Sequence, residues 1–165
     1  MIMVLLDKRK VFEWVVERLE QEIGQMKTGY EEARRTSIEA PGRMQSRYDT
    51  MGVEAAWVAD GLARNIEGKL QSLSVLRAFN LPASPPRVAL GCIAGVGHDM
   101  KATEAAYFLL PGCGGLVIPA EVSSYEIRVI TPQSPIGREL LGKAVGDDVR
   151  VRRQRPEPDV VTMVV

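Results

Sequence analysis

The sequence predicts an α+β protein: an N-terminal antiparallel helical hairpin, read as a coiled coil, followed by a small, mostly antiparallel β domain with one short helix. Three observations predict it. Apolar residues recur at helical spacing through the first half, a proline-rich stretch then interrupts the chain, and short β-branched runs between turn residues fill the second half. The boundaries follow at 1–79 for the hairpin, with its tip near 37–47, at 80–87 for a linker, and at 88–165 for the C-terminal domain.

In the first helix, from Asp7 to about Thr36, Val11, Val15, Leu19, Ile23, Met26, Tyr30 and Ala33 form one amphipathic stripe. In the second, Tyr48, Met51, Ala55, Val58, Leu62, Ile66, Leu70, Leu73 and Leu76 form another. Pro41 and Gly42 lie between them, where proline interrupts helical hydrogen bonding and glycine supplies turn geometry. Two helices of roughly 30 residues reach about 45 Å each, and a short break favours an antiparallel pair. Gly52, Gly61 and Gly68 weaken the second helix, while Ala55, Ala59 and Ala63 allow a close helix approach. Trp14 and Trp57 are expected to pack within the hairpin rather than serve as binding platforms.

"NLPASPPR", Asn80 to Arg87, opposes helix continuation and reads as the linker. Strands are expected in "RVALGCIAGV", "AAYFLLP", "GLVIP", "YEIRVIT", "VRVRR" and "DVVTMVV". Among them, Ser134 is an N-cap, Pro135 a first helical residue and Gly142 a helix stop, so one short helix packs on the sheet. Its Ile136, Leu140 and Leu141 are expected in the core, and Gly146 to Asp148 turn the chain into the next strand.

The charge balance, 21 basic against 21 acidic residues, gives no reason for general nucleic-acid or membrane affinity. "MIMVLL" is too short for a signal core or a membrane span. With Cys92 and Cys113 allowing at most one bridge, the chain reads as cytoplasmic with reduced thiols. One histidine and two cysteines make no set at zinc-ligand spacing, so no metal or other cofactor is expected.

The order of "ITPQSPIGRELLGKAVGDDVRV" resembles the Gre family of transcript-cleavage factors: Ser134-Pro135, the "LLGK" of Leu140 to Lys143, and Gly146-Asp147 stand at the family's spacing. A looser likeness covers "RYDTMGVEAAWVADGLARNIEGKL", Arg47 to Leu70. The resemblance implies an FKBP-like C-terminal domain that docks at the rim of the secondary channel of bacterial RNA polymerase, core enzyme, while the hairpin enters the channel. It places docking on Gln133, Ser134, Pro135 and Ile136, although the family commonly has an acidic residue where this chain has Gln133.

Gre cleavage factors carry a tip motif of the type Asp-Leu-Ser-Glu-Asn-Ala-Glu-Tyr, whose leading Asp and Glu help hold a catalytic metal. Magnesium prefers hard oxygen ligands, and a second ion activates water for phosphodiester hydrolysis. Matching the motif's tyrosine to Tyr48 sets those two positions at Pro41 and Met44, neither of which offers a carboxylate. Glu39 and Asp49 are the nearby acids, and Arg34, Arg35, Arg43 and Arg47 make the tip region basic. The expectation is a polymerase-binding factor with no catalytic residues of its own and no stimulation of cleavage, whose arginines touch nascent RNA phosphate or the polymerase's carboxylates.

Two other readings stand beside it: an FKBP-like peptidyl-prolyl isomerase, for which the C-terminal half offers Tyr107, Phe108 and Tyr125 as pocket aromatics, and a coiled-coil adaptor with another partner. "PGCGGL", Pro111 to Leu116, lacks the Lys-Ser/Thr ending of a phosphate loop and reads as a tight loop between strands. His98 is expected to be exposed and non-catalytic in a loop, and "RVRRQR", Arg150 to Arg155, to be a solvated sheet edge.

Overall fold

The computed structural model describes residues 6–40, 50–123, 126–151 and 157–165. Its elements run α1 (Lys8–Glu39), α2 (Met51–Ala78), β1 (Ile93–Gly97), β2 (Ala105–Leu109), β3 (Val117–Ile118), α3 (Ala120–Ser123), β4 (Ile127–Ile130), α4 (Pro135–Leu140), β5 (Asp148–Val149) and β6 (Asp159–Val164). This is an α+β chain with a long helical pair ahead of a mixed sheet. It divides into two compact units, one of Glu17–Leu73 and one of Met1–Val16 with Ser74–Val165.

In the Glu17–Leu73 unit, α1 keeps the stripe its sequence predicts: Leu19 and Ile23 are buried, and Met26, Tyr30 and Ala33 are half-buried. On α2 the buried line is Ala59, Ile66 and Leu73, one heptad apart, with Leu62 and Lys69 half-buried between them. That corrects the predicted stripe. Met51, Val58 and Leu70 are exposed rather than packed, because the helix turns Ala59 and Lys69 inward in place of the larger neighbours Val58 and Leu70. Lys69 is accommodated by an ion pair with Glu22 at 2.7 Å, and Arg18 adds a second cation at 3.5 Å. Ala63 is exposed as well. Trp57 is 70% exposed, so its expected packing within the hairpin does not occur, whereas Trp14, in the other unit, is half-buried. Tyr48 lies outside the described residues.

In the second unit the strands form one six-stranded sheet of order β3-β4-β2-β1-β6-β5. Every pair is antiparallel except β2 with β4, which is parallel. The parallel pair needs a crossover, and β3 and α3 occupy it. The α3 turn was not expected. It follows Pro119, whose carbonyl accepts from the Val122 amide at 3.1 Å and the Ser123 hydroxyl at 3.5 Å. One face of the sheet buries Ala94, Val96, Tyr107, Leu109 and Val161 with Leu140 of α4. The alternate residues Ile93 and Phe108 are fully buried too. Phe108 meets Phe12, from the start of α1, edge to face at a centroid distance of 6.4 Å, and Phe12 meets Phe79 at the same distance.

The Asn80–Arg87 stretch is tied into this unit. Lys8 Nζ donates to the Pro82 carbonyl at 2.8 Å, and a Cβ on Gly91 would stand 2.5 Å from the Pro82 ring. Asp7 caps α1, its Oδ1 accepting from the Arg9 and Lys10 amides. The strand expected over "VRVRR" is short: β5 ends at Val149, and 152–156 lie outside the described residues. Among the described residues no helix is long and apolar enough to cross a membrane.

Candidate docking site

The segment from Thr131 to Ile136 is held by its own hydrogen bonds. Ser134 sits at φ −66° and ψ 153°, the extended geometry of an N-cap, and its Oγ accepts from the Gly137 amide at 3.0 Å. The same hydroxyl donates to the Thr131 carbonyl at 2.7 Å, and the Ser134 amide donates there at 3.0 Å. Pro135 follows at the first helical position, where its missing amide costs no hydrogen bond. Gly137 has to be glycine, because a Cβ there would run into the Thr131 carbonyl. Sequence reading missed that requirement; its signal was a glycine inside a helix of six residues.

Beyond the turn, α4 is pinned at its far end. Gly142, at φ 81°, takes the left-handed conformation that ends the helix, and its amide donates to the Val88 carbonyl at 2.8 Å. Arg87 Nη1 donates to the Gly142 carbonyl at 3.0 Å. Ile136 is half-buried against the core, and Leu140 is fully buried. Leu141 departs from expectation: it is 48% exposed, because it is the C-cap residue with non-helical ψ, pointing away from the face shared by Ile136 and Leu140. Gln133 and Pro135 remain exposed at the turn. The four predicted docking residues are thus contiguous, with two outward and two anchoring.

The loop Pro111–Leu116 joins β2 to β3, as its glycines suggested. It lies beside the Thr131–Ile136 turn: a Cβ on Gly114 would sit 3.1 Å from Thr131 Cγ2, and the Gly115 amide donates to the Val129 carbonyl at 2.8 Å. Cys113 in this loop holds φ 60°, uncommon for a residue with a side chain. Neither Cys92 nor Cys113 forms a disulfide. His98 is exposed in a turn, with Nε2 3.6 Å from Glu157. Of the aromatics that a proline pocket would need, Phe108 and Tyr107 are buried in the sheet, and Tyr125 lies outside the described residues.

At the hairpin tip, Glu39 is the last residue of α1 and is exposed. The other predicted tip residues, Pro41, Arg43, Met44, Arg47, Tyr48 and Asp49, lie outside the described residues. Arg34 and Arg35 are exposed in the closing turns of α1, with no ion pair among the described residues. Thr50 opens α2, its hydroxyl donating to Glu54 Oε1 at 2.8 Å.

These features define a class: a chain that couples a two-helix hairpin to a mixed-sheet domain bearing a capped Ser-Pro turn. Comparison with known proteins then narrows the class. The chain is 29% identical over 94 residues to the transcription elongation factor GreA of Streptomyces coelicolor, a match covering 57% of this chain. It spans about half the length of that relative, 53%. Among solved structures it matches the GreA factor homolog 1 (Gfh1) of Thermus thermophilus at 24% identity, covering 91% of this chain and 94% of that one, with a TM-score of 0.33. A second structure of the transcription factor Gfh1 matches at 22% identity over 90% and 92% of the two chains, again with a TM-score of 0.33. No protein-family model matches the chain. The likeness to GreA is confined to those 94 residues.

Proposed function

We propose that this chain is a Gre-like modulator of transcription elongation that binds bacterial RNA polymerase at its secondary channel and does not stimulate transcript cleavage. The observation that carries the reading is a contrast within one sequence. The Ser134–Pro135 turn is retained, with its cap bonds made and Gln133 exposed beside it, while Pro41 and Met44 stand where the family has its metal-holding acids. A tip without that carboxylate pair lacks the hard oxygen donors that would steady a second magnesium ion. Arg34 and Arg35 supply cations suited to RNA phosphate or to the polymerase's own carboxylates. The similarity to a protein named a transcription elongation factor supports this reading.

Docking is tested with fluorescently labelled chain titrated against bacterial core polymerase. Gln133 is exposed and lies outside α4, so Gln133→Arg leaves the fold intact. The expected result is saturable binding weakened about tenfold or more by the substitution, as for a residue central to an interface. Binding that ignores Gln133→Arg would remove the docking role of this turn, and absence of binding would remove the reading itself.

A further inference from the structure

On α2 the hairpin unit leaves two apolar side chains that its own packing does not use. Trp57 is 70% exposed and Val53, one turn before it, 39% exposed. At about 100° per residue, Val53, Trp57, Gly61, Arg64 and Gly68 fall within an arc of about 80° on the side of α2 opposite Ala59, Ile66 and Leu73. Neither Gly61 nor Gly68 is required by the hairpin, since a Cβ at either would meet nothing within 4 Å. Glycine weakens an exposed helix relative to alanine. Gly61, one turn after Trp57, therefore leaves open space beside the exposed indole, and Gly68 leaves the same about two turns further on.

The face complements itself in one orientation. When two copies of a helix pair about a two-fold axis in antiparallel fashion, facing positions have a constant sum. Placing Trp57 against Gly68 of a second copy also places Gly61 against Arg64, and brings Asp60 within one position of Arg64. Parallel pairing would instead set Trp57 on Trp57 and Asp60 on Asp60, opposing like charges. In the single chain the Arg64 Nε–H donates to the Asp60 carbonyl oxygen at 3.3 Å, and both side chains are exposed.

We propose that α2 is a self-association surface: two copies pair antiparallel through this face, each Trp57 indole seated over Gly68 of the other copy, and each Asp60 carboxylate meeting Arg64 of the other. The pair covers the outer face of α2. Self-association and entry of the hairpin into a polymerase channel therefore compete.

Sedimentation of the full chain between about 1 µM and about 100 µM tests this, a range that brackets micromolar association. The expected mass rises from one chain to two. Trp57→Ala should weaken the dimer about tenfold or more, as loss of a central aromatic anchor does. Gly68→Leu should raise the melting temperature, because leucine is the better helix former and the position is open, while weakening the dimer. Asp60→Arg and Arg64→Asp should each weaken it, and the double swap should restore it. Circular dichroism of each variant checks that α2 is intact. The mass of one chain at every concentration, or a dimer indifferent to Trp57→Ala and unrescued by the double swap, would overturn the proposal.

Discussion

The two units bury their apolar residues in opposite styles. In the sheet unit, β1 is buried along its whole length and β2 nearly so, on both faces, with α4 against one face and Phe12 against the other. In the hairpin unit one line from each helix is sealed, and Met51, Val53, Trp57 and Val58 face outward. The sheet unit buries most of its large apolar residues, while the hairpin leaves several of its own exposed. Substitutions should therefore act through stability in the first and through contact in the second.

The largest expected effect sharpens that contrast. Phe108→Ala, at a fully buried site between the sheet and Phe12, should cost about 3–5 kcal/mol in chemical denaturation. Ile66→Ala, at the edge of burial in α2, should cost about 2 kcal/mol. A larger loss at Ile66 would break the comparison.

Glycine should change sign between the units. Gly137→Ala forces a methyl against the Thr131 carbonyl and should destabilise by about 1–3 kcal/mol, in the range of overpacking. Gly61→Ala meets open space and should stabilise by up to about 1 kcal/mol. Paired thermal melts of the two variants, taken at low protein concentration, measure this directly.

Smallest is the ion pair inside the hairpin. Lys69 and Glu22 are partly exposed, at 36% and 25% of their side chains, so a double-mutant cycle should return about 0.2–1 kcal/mol. The coupling should fall as salt is raised. A coupling that survives high salt would mean that the pair is more enclosed than its geometry indicates.

What the sequence made legible follows the same division. The α1 stripe, the cap at Ser134, the stop at Gly142 and the strand runs were readable because each is a local rule: periodicity, a side-chain oxygen before a helix, or a residue tolerant of positive φ. The α2 face was misread because choosing Leu70 over Lys69, or Val58 over Ala59, depends on the partner helix. Glu22 and close approach decide it, and neither is visible in the local pattern. Leu141 was misread for a related reason, since its helix ends one residue earlier than the apolar run. The proximity of Gly114 to Thr131 and the steric demand on Gly137 arise from chain crossings that no local period encodes. The docking role proposed for Gln133, Ser134, Pro135 and Ile136 came from likeness to a family, because a turn that would act by contact carries no chemical signature of its own.

The most direct test is performed on stalled bacterial elongation complexes, with the length of the nascent RNA as readout. The account predicts that the chain alone leaves transcripts intact, and that with increasing dose it suppresses the shortening caused by a Gre cleavage factor. Transcript shortening by the chain itself, lost on Glu39→Ala or Asp49→Ala, would contradict it.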